Sequence, residues 1–188
     1  ETISAPEEYL AAAEAFKRAQ MPWVGTMSFD TAGRTMMGLT SAAMVKMVDN
    51  IENSPLGFGA NCGTGASDLL RTVLGFAAQG TSVPIVAKGN AGIPKYVDGH
   101  IHYDGTPELM GEYAMLARNC GARIIGGCCG TMPEHLSAMR RALENNEQAQ
   151  APTLDVISAA LGPFSSSGDG TEENAPVARQ TRRRRRSS

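Results

Sequence analysis

A strand-like apolar segment followed by an amphipathic helix recurs along this chain roughly every 30 residues, the spacing of a parallel βα unit. The alternation limits the fold to a parallel sheet with helices packed on it. The stub Glu1-Thr2-Ile3-Ser4 reads as the end of a strand whose beginning is absent, so the chain is expected to be a fragment of a longer protein. Ser4-Ala5-Pro6-Glu7 then has the pattern of a capping box, opening a helix through Tyr9, Leu10, Ala13 and Phe16 to about Gln20. Strands are expected over 23–28, 56–60, 83–88 and 122–125. The first leads through a polar loop (30–38) to a helix capped by Thr40, with Ala43, Met44, Met47, Val48 and Ile51 at helical spacing.

The second strand delivers Asn61 and Cys62, and its helix carries Leu69, Leu70, Val73, Leu74 and Ala77 before Gly80. The third runs into a long loop over 89–105, containing Asn90, His100 and His102, before a helix opened by Thr106-Pro107. The fourth delivers Cys128 and Cys129, and Thr131-Met132-Pro133-Glu134 has a capping-box pattern for the helix that ends near Asn145. Four complete βα units after a strand stub fit half of a (β/α)8 barrel, and a small open sheet is the alternative. The unusual residues all follow strands, where barrel sites lie, which favours the barrel. Half a barrel leaves two sheet edges open to a second copy or to a missing N-terminal half.

With 188 residues and a formal net charge of −2, the chain is long enough for a core and has no basic excess to argue for nucleic acid. No run has the length of a membrane span or the pattern of a leader, so a cytoplasmic setting is expected. Thiols stay reduced there, and clustered cysteines point to metal or catalysis. From about Pro152 the composition changes. Leu154, Val156, Ile157, Ala159 and Ala160 fit one more short helix, and beyond Pro163 the chain reads as a disordered tail ending in arginines at 182–186. That run is read as a solvated end, with contact to RNA or an acidic surface as the alternative.

Two of the chain's four cysteines lie in Gly126-Gly127-Cys128-Cys129-Gly130-Thr131 and a third in Gly59-Ala60-Asn61-Cys62-Gly63. Adjacent side chains of a strand point to opposite faces. Flanking glycines relax that restriction and let Cys128 and Cys129 converge. Cys62, Cys128 and Cys129 then make a three-thiolate zinc site with an open fourth position, the mark of a catalytic rather than a structural ion. Three thiolates make the ion a poor activator of water but suit it to holding a substrate thiol as thiolate, ready to attack an electrophilic methyl group. A redox dithiol fits less well, because the usual two-residue spacer is missing. Cys120 reads as a buried core thiol, and His100 and His102 as solvent-facing or structural. Asn61 fits either an orienting group beside Cys62 or a turn residue, while Thr26, Ser28, Lys88 and Asn90 also stand at strand ends.

These two cysteine motifs, with Glu1-Thr2-Ile3-Ser4, Ser28-Phe29-Asp30-Thr31-Ala32-Gly33-Arg34-Thr35 and Pro133-Glu134-His135-Leu136, resemble the homocysteine S-methyltransferase family, most closely its bacterial betaine–homocysteine branch. The resemblance covers residues 1–143, the second half of that family's (β/α)8 TIM barrel, from the end of strand four to helix eight. It implies zinc held by Cys62, Cys128 and Cys129, homocysteine sulfur as fourth ligand, a small methyl donor such as betaine, and methionine as product. Other donors of the family, S-methylmethionine and methyl-folate, remain open. It places the glutamate that holds the homocysteine amino group at Glu1, and Asn61 beside the substrate. The family's strand-one aspartate and glycine-rich segment have no counterpart in these residues. The expected organisation is a barrel half over 1–148, a short helical extension over 149–163 and the basic-ended tail over 164–188.

Overall fold

The computed structural model describes residues 1–168; the arginine run at 182–186 lies outside them. In chain order the elements are α1 (Pro6–Arg18), β1 (Val24–Met27), α2 (Ser41–Asp49), β2 (Gly57–Asn61), α3 (Ala66–Ala77), β3 (Ile85–Gly89), β4 (Pro94–Val97), β5 (His100–Tyr103), α4 (Pro107–Asn119), β6 (Ala122–Gly127), α5 (Pro133–Asn145) and α6 (Leu154–Leu161). The strands β1-β2-β3-β6 form one sheet in that order, and every pair is parallel. Ile3 adds a parallel bridge to Met27, so the initial stub lines up beside β1. This is the α/β arrangement of about half of a (β/α)8 barrel.

Burial explains why the helices cover one face. Met27, Phe58, Ala60, Ile85 and Ala87 point from the sheet into a core with Tyr9, Met44, Val48, Leu70, Val73, Phe76, Met110 and Tyr113. Phe76 joins the layers, edge-on to Phe58 at 5.3 Å and to Phe29 at 5.4 Å. Gly59, Asn61, Lys88 and Gly126 alternate with these residues and lie toward the other face, with Asn61, Lys88 and Gly126 in one register row. Thr40, Thr106 and Thr153 cap α2, α4 and α6 through their side chains, each accepting from the backbone N–H three residues on.

The structure departs from the sequence expectations at two helix starts and in one loop. Helix α1 is capped at Ala5 with no side-chain hydrogen bond, so Ser4 does not close a capping box; Pro6 at the first turn sets the start. Helix α5 is capped at Met132 rather than Thr131, and His135 supplies the reciprocal bond, its Nδ1 accepting from the Met132 N–H at 2.9 Å. The long loop over 89–105 contains an antiparallel hairpin, β4 with β5. Its two-residue turn is Asp98-Gly99, at φ of 49° and 83°. Both residues are left-handed, as the tightest hairpin turns require.

Helix α6 packs on α3 and α4, burying Ile157 and Leu161. The chain beyond it stays in contact with α3: Phe164 lies over the Arg71 guanidinium and Ser165 donates its N–H to Asp68. Ordered contacts therefore continue past residue 163, where the sequence reading begins the tail. Among the described residues no helix is long and apolar enough to cross a membrane.

Candidate metal centre

All three sulfurs sit at the C-terminal rim of the sheet. Cys62 follows β2 directly, and its N–H donates to the Lys88 carbonyl at 3.1 Å. Cys128 follows β6, and its N–H donates to the Gly89 carbonyl at 2.8 Å. Both backbones are thus tied to the end of β3, which stands between β2 and β6. The sulfurs of Cys62, Cys128 and Cys129 all lie within 4.8 Å of one another, with Cys62 Sγ and Cys129 Sγ 3.8 Å apart. Each cysteine is half-buried.

Backbone conformation brings them together, though not where the flanking glycines suggested. Gly126 and Gly127 belong to strand β6; the left-handed residues are Cys62 (φ 62°), Gly63 (φ 80°) and Gly130 (φ 75°). A left-handed cysteine is strained and persists only where its surroundings hold it. Gly130 turns the chain under Tyr103, whose Cβ would lie 2.4 Å from any Cβ placed there.

Two buried asparagines organise the cluster. Asn61 Oδ1 accepts from the Thr2 N–H at 2.8 Å and from Thr26 Oγ1 at 2.7 Å. Its Nδ2 donates to Thr2 Oγ1 at 2.7 Å and to Cys128 Sγ at 3.6 Å. Those four contacts fill the amide's capacity, so Asn61 orients Cys128 and has no group free for a substrate. Asn90 Oδ1 accepts from the Cys129 N–H at 3.1 Å, and its Nδ2 donates to the Gly63 carbonyl at 3.1 Å. Asn90 therefore clamps the two cysteine loops to each other. In sequence it is one of several polar residues at a strand end, and only the tertiary contacts single it out.

The thiols do not titrate alike. Burial pushes Cys62 up to about 11, helped by the neighbouring charge of Cys128 and the contact with Cys129. Burial also opposes ionisation of Cys129, but hydrogen bonds from Tyr103, Cys62 and Cys128 outweigh it and hold this thiol below its ordinary value. Three thiolates this close repel one another, and a divalent cation relieves that repulsion. The donor set fits zinc: a Zn–S bond of about 2.3 Å gives sulfur–sulfur edges of about 3.8 Å in a tetrahedron.

The other residues singled out by sequence lie apart from the sulfurs or beside them. Glu1 forms an ion pair with Lys88, whose hydrogen bond and charge hold its carboxyl below the usual range. Ser28 is buried. His100 and His102 lie exposed on the hairpin, outside the sulfur cluster. His135 is buried with Nε2 2.9 Å from the Gly105 carbonyl, a bond that ties the start of α5 to the end of the hairpin loop. Cys120 is buried in the core, as its position in the helical pattern implied.

A half-barrel parallel sheet with a three-thiol cluster on its C-terminal rim defines the class. A family model described as homocysteine S-methyltransferase matches residues 1–143, and the chain belongs to that family. Among solved structures it is similar to the homocysteine methyltransferase MmuM from Escherichia coli. The apo form has a TM-score of 0.60 and 20% sequence identity, covering 76% of this chain and 48% of that one. The metallated form has a TM-score of 0.59 and 21% identity, covering 75% of this chain and 43% of that one. The chain thus spans less than half the length of these MmuM chains.

Proposed function

We propose that this chain carries the metal-binding part of a zinc-dependent methyltransferase that converts homocysteine to methionine, with betaine as the methyl donor. The observation that carries the reading is the sulfur triangle, whose 3.8 Å edge between Cys62 and Cys129 equals the tetrahedral zinc value. Membership of the homocysteine S-methyltransferase family supports the substrate. The metallated form of MmuM supports a metal in this fold.

Cys62, Cys128 and Cys129 would hold the zinc. When bound, it supplies the charge that keeps a substrate thiol ionised near neutral pH. Asn61 holds the Cys128 sulfur, and Asn90 holds the backbone on both sides of the cluster. Glu1, paired with Lys88, would exchange that cation for the ammonium group of homocysteine, since both are cations that a carboxylate accepts. In the reaction, the homocysteine thiol loses its proton to solvent and its sulfur attacks a methyl carbon of betaine. The C–S bond forms as the C–N bond breaks, and the electron pair leaves on the nitrogen of dimethylglycine. The reduced thiol cluster fits a cytoplasmic setting.

The test is methionine formation by the zinc-loaded chain with betaine, S-methylmethionine or a methyl-folate as donor. Turnover with betaine that disappears in Cys129→Ala is the expected result; zinc-independent turnover overturns the proposal. A second reading is favoured by the half-exposed Val24 and Ile124 on the strands: turnover requires further βα units from a partner half or a second copy. In that case the chain binds zinc but forms no methionine alone.

A further inference from the structure

The stretch after α6 lies beyond the family match, which ends at residue 143, yet it is built into the neighbourhood of the first cysteine. The centre of this contact is Asp68, in the first turn of α3, whose side chain is buried with that of Arg71 (7% and 6% exposed). Asp68 Oδ1 accepts from Arg71 Nη2 at 2.6 Å. Its Oδ2 accepts from the Ser165 N–H at 3.0 Å and from Thr64 Oγ1 at 2.9 Å. Arg71 Nη1 donates to the Ser166 carbonyl at 2.9 Å, and the Phe164 ring lies 4.8 Å from its guanidinium carbon. Ser67 Oγ donates to the Gly162 carbonyl at 2.6 Å, and Thr64 Oγ1 is 3.2 Å from Ser165 Oγ.

One carboxylate oxygen therefore joins a segment distant in sequence to Thr64, two residues after Cys62. The loop from Cys62 to Thr64 carries the left-handed pair Cys62-Gly63, strained at the cysteine and held from the inner side by Lys88 and Asn90. Left-handed non-glycine residues need such holding on every side.

We propose that residues 162–166 form a clasp that acts through Asp68 and Thr64 to fix the position of the Cys62 sulfur. Thr64, Asp68 and the clasp are positioning groups; Cys62 is the group they position. The inference rests on the proposed role of Cys62 as a metal ligand only for its consequence in zinc binding. The contact itself is independent of any metal.

The test uses the full reduced, metal-free chain and alkylation by iodoacetamide, resolved by mass at each cysteine. Buried Cys120 serves as the internal report of global opening. Thr64→Val deletes the bond to Asp68 and leaves the Asp68–Arg71 pair intact. It is expected to raise Cys62 alkylation about tenfold, the scale of a hydrogen bond to a charged acceptor, with Cys120 unchanged. Thr64→Ser restores the parent rate. A chain ending at Gly162, which keeps the Cys62–Thr64 loop and the Ser67 contact but loses the rest of the clasp, behaves like Thr64→Val. In both altered chains zinc affinity, measured by chelator competition, falls at least about tenfold. Cys62 rates equal to the parent in both chains, or Cys120 rising in step with Cys62, would overturn the proposal. A parent chain that binds no zinc refutes the metal reading instead, and the alkylation ratio still decides the clasp.

Discussion

Replacing Asn90 with alanine tests how the two cysteine loops are held. The side chain is 1% exposed and makes one bond to each loop, both at 3.1 Å. Its removal leaves the Cys129 N–H and the Gly63 carbonyl without those partners. An orphaned group costs about 1–3 kcal/mol when fully buried; these two are half-buried, so the expected loss is about 2–3 kcal/mol in all. That is a large share of the roughly 5–15 kcal/mol that stabilises a typical domain. Urea unfolding of the metal-free chain measures the loss, and chelator competition measures zinc binding. The two loops carry different sulfurs, so zinc affinity should fall about 10–100-fold. Asn90→Asp retains an acceptor for Cys129 but cannot donate to Gly63, and it adds a negative charge beside thiolates. It should weaken zinc less through the Cys129 side and more through the Gly63 side, while unfolding remains easier than in the parent. An Asn90→Ala chain within about 0.5 kcal/mol of the parent and with unchanged zinc affinity would refute the clamp.

Three further outcomes are expected. Gly130→Ala should destabilise the chain by about 2–5 kcal/mol in urea unfolding, because it combines a left-handed φ with a clash against Tyr103. Glu1→Gln should raise the homocysteine KM about tenfold or more in any assembly that turns over, with zinc content unchanged; an unchanged KM removes Glu1 from the substrate site. Burial pushes the Cys120 thiol up to about 12 from its ordinary 9.0, so the folded state retains a proton that the unfolded state gives up. Its contribution is complete below about pH 9 and declines as pH rises toward 12, and the loss of stability between pH 8.5 and 10.5 should be shallower in Cys120→Ala.

The order of the parallel strands and helices and the three clustered cysteines were legible because their signals are local. Apolar spacing at Met44, Val48, Leu70 and Val73 marks helix faces directly, and the cysteines stand at the ends of apolar runs. The hairpin has a local signal too, since Asp98-Gly99 between Tyr96-Val97 and Ile101 is a short-range turn pattern, although its strands are short and exposed and lack the apolar runs of the parallel strands. The cap at Met132 was hidden because His135, an uncommon capping partner, supplies the bond. Asn90 and Asp68 act across 39 and 97 residues of sequence, and no local pattern distinguishes them from other polar residues near strand ends. Asn61 stands beside the cluster, as its place next to Cys62 implies, but the four protein contacts that leave it no group for a substrate could be counted only in three dimensions.

The central claim is that Cys62, Cys128 and Cys129 share one zinc and leave a position for a substrate thiol. X-ray absorption at the zinc edge measures this directly on the metal-loaded chain. The account predicts one zinc per chain with three sulfur neighbours at about 2.3 Å, rising to four when homocysteine is added. Fewer than three sulfurs, or a shell that homocysteine leaves unchanged, would contradict it.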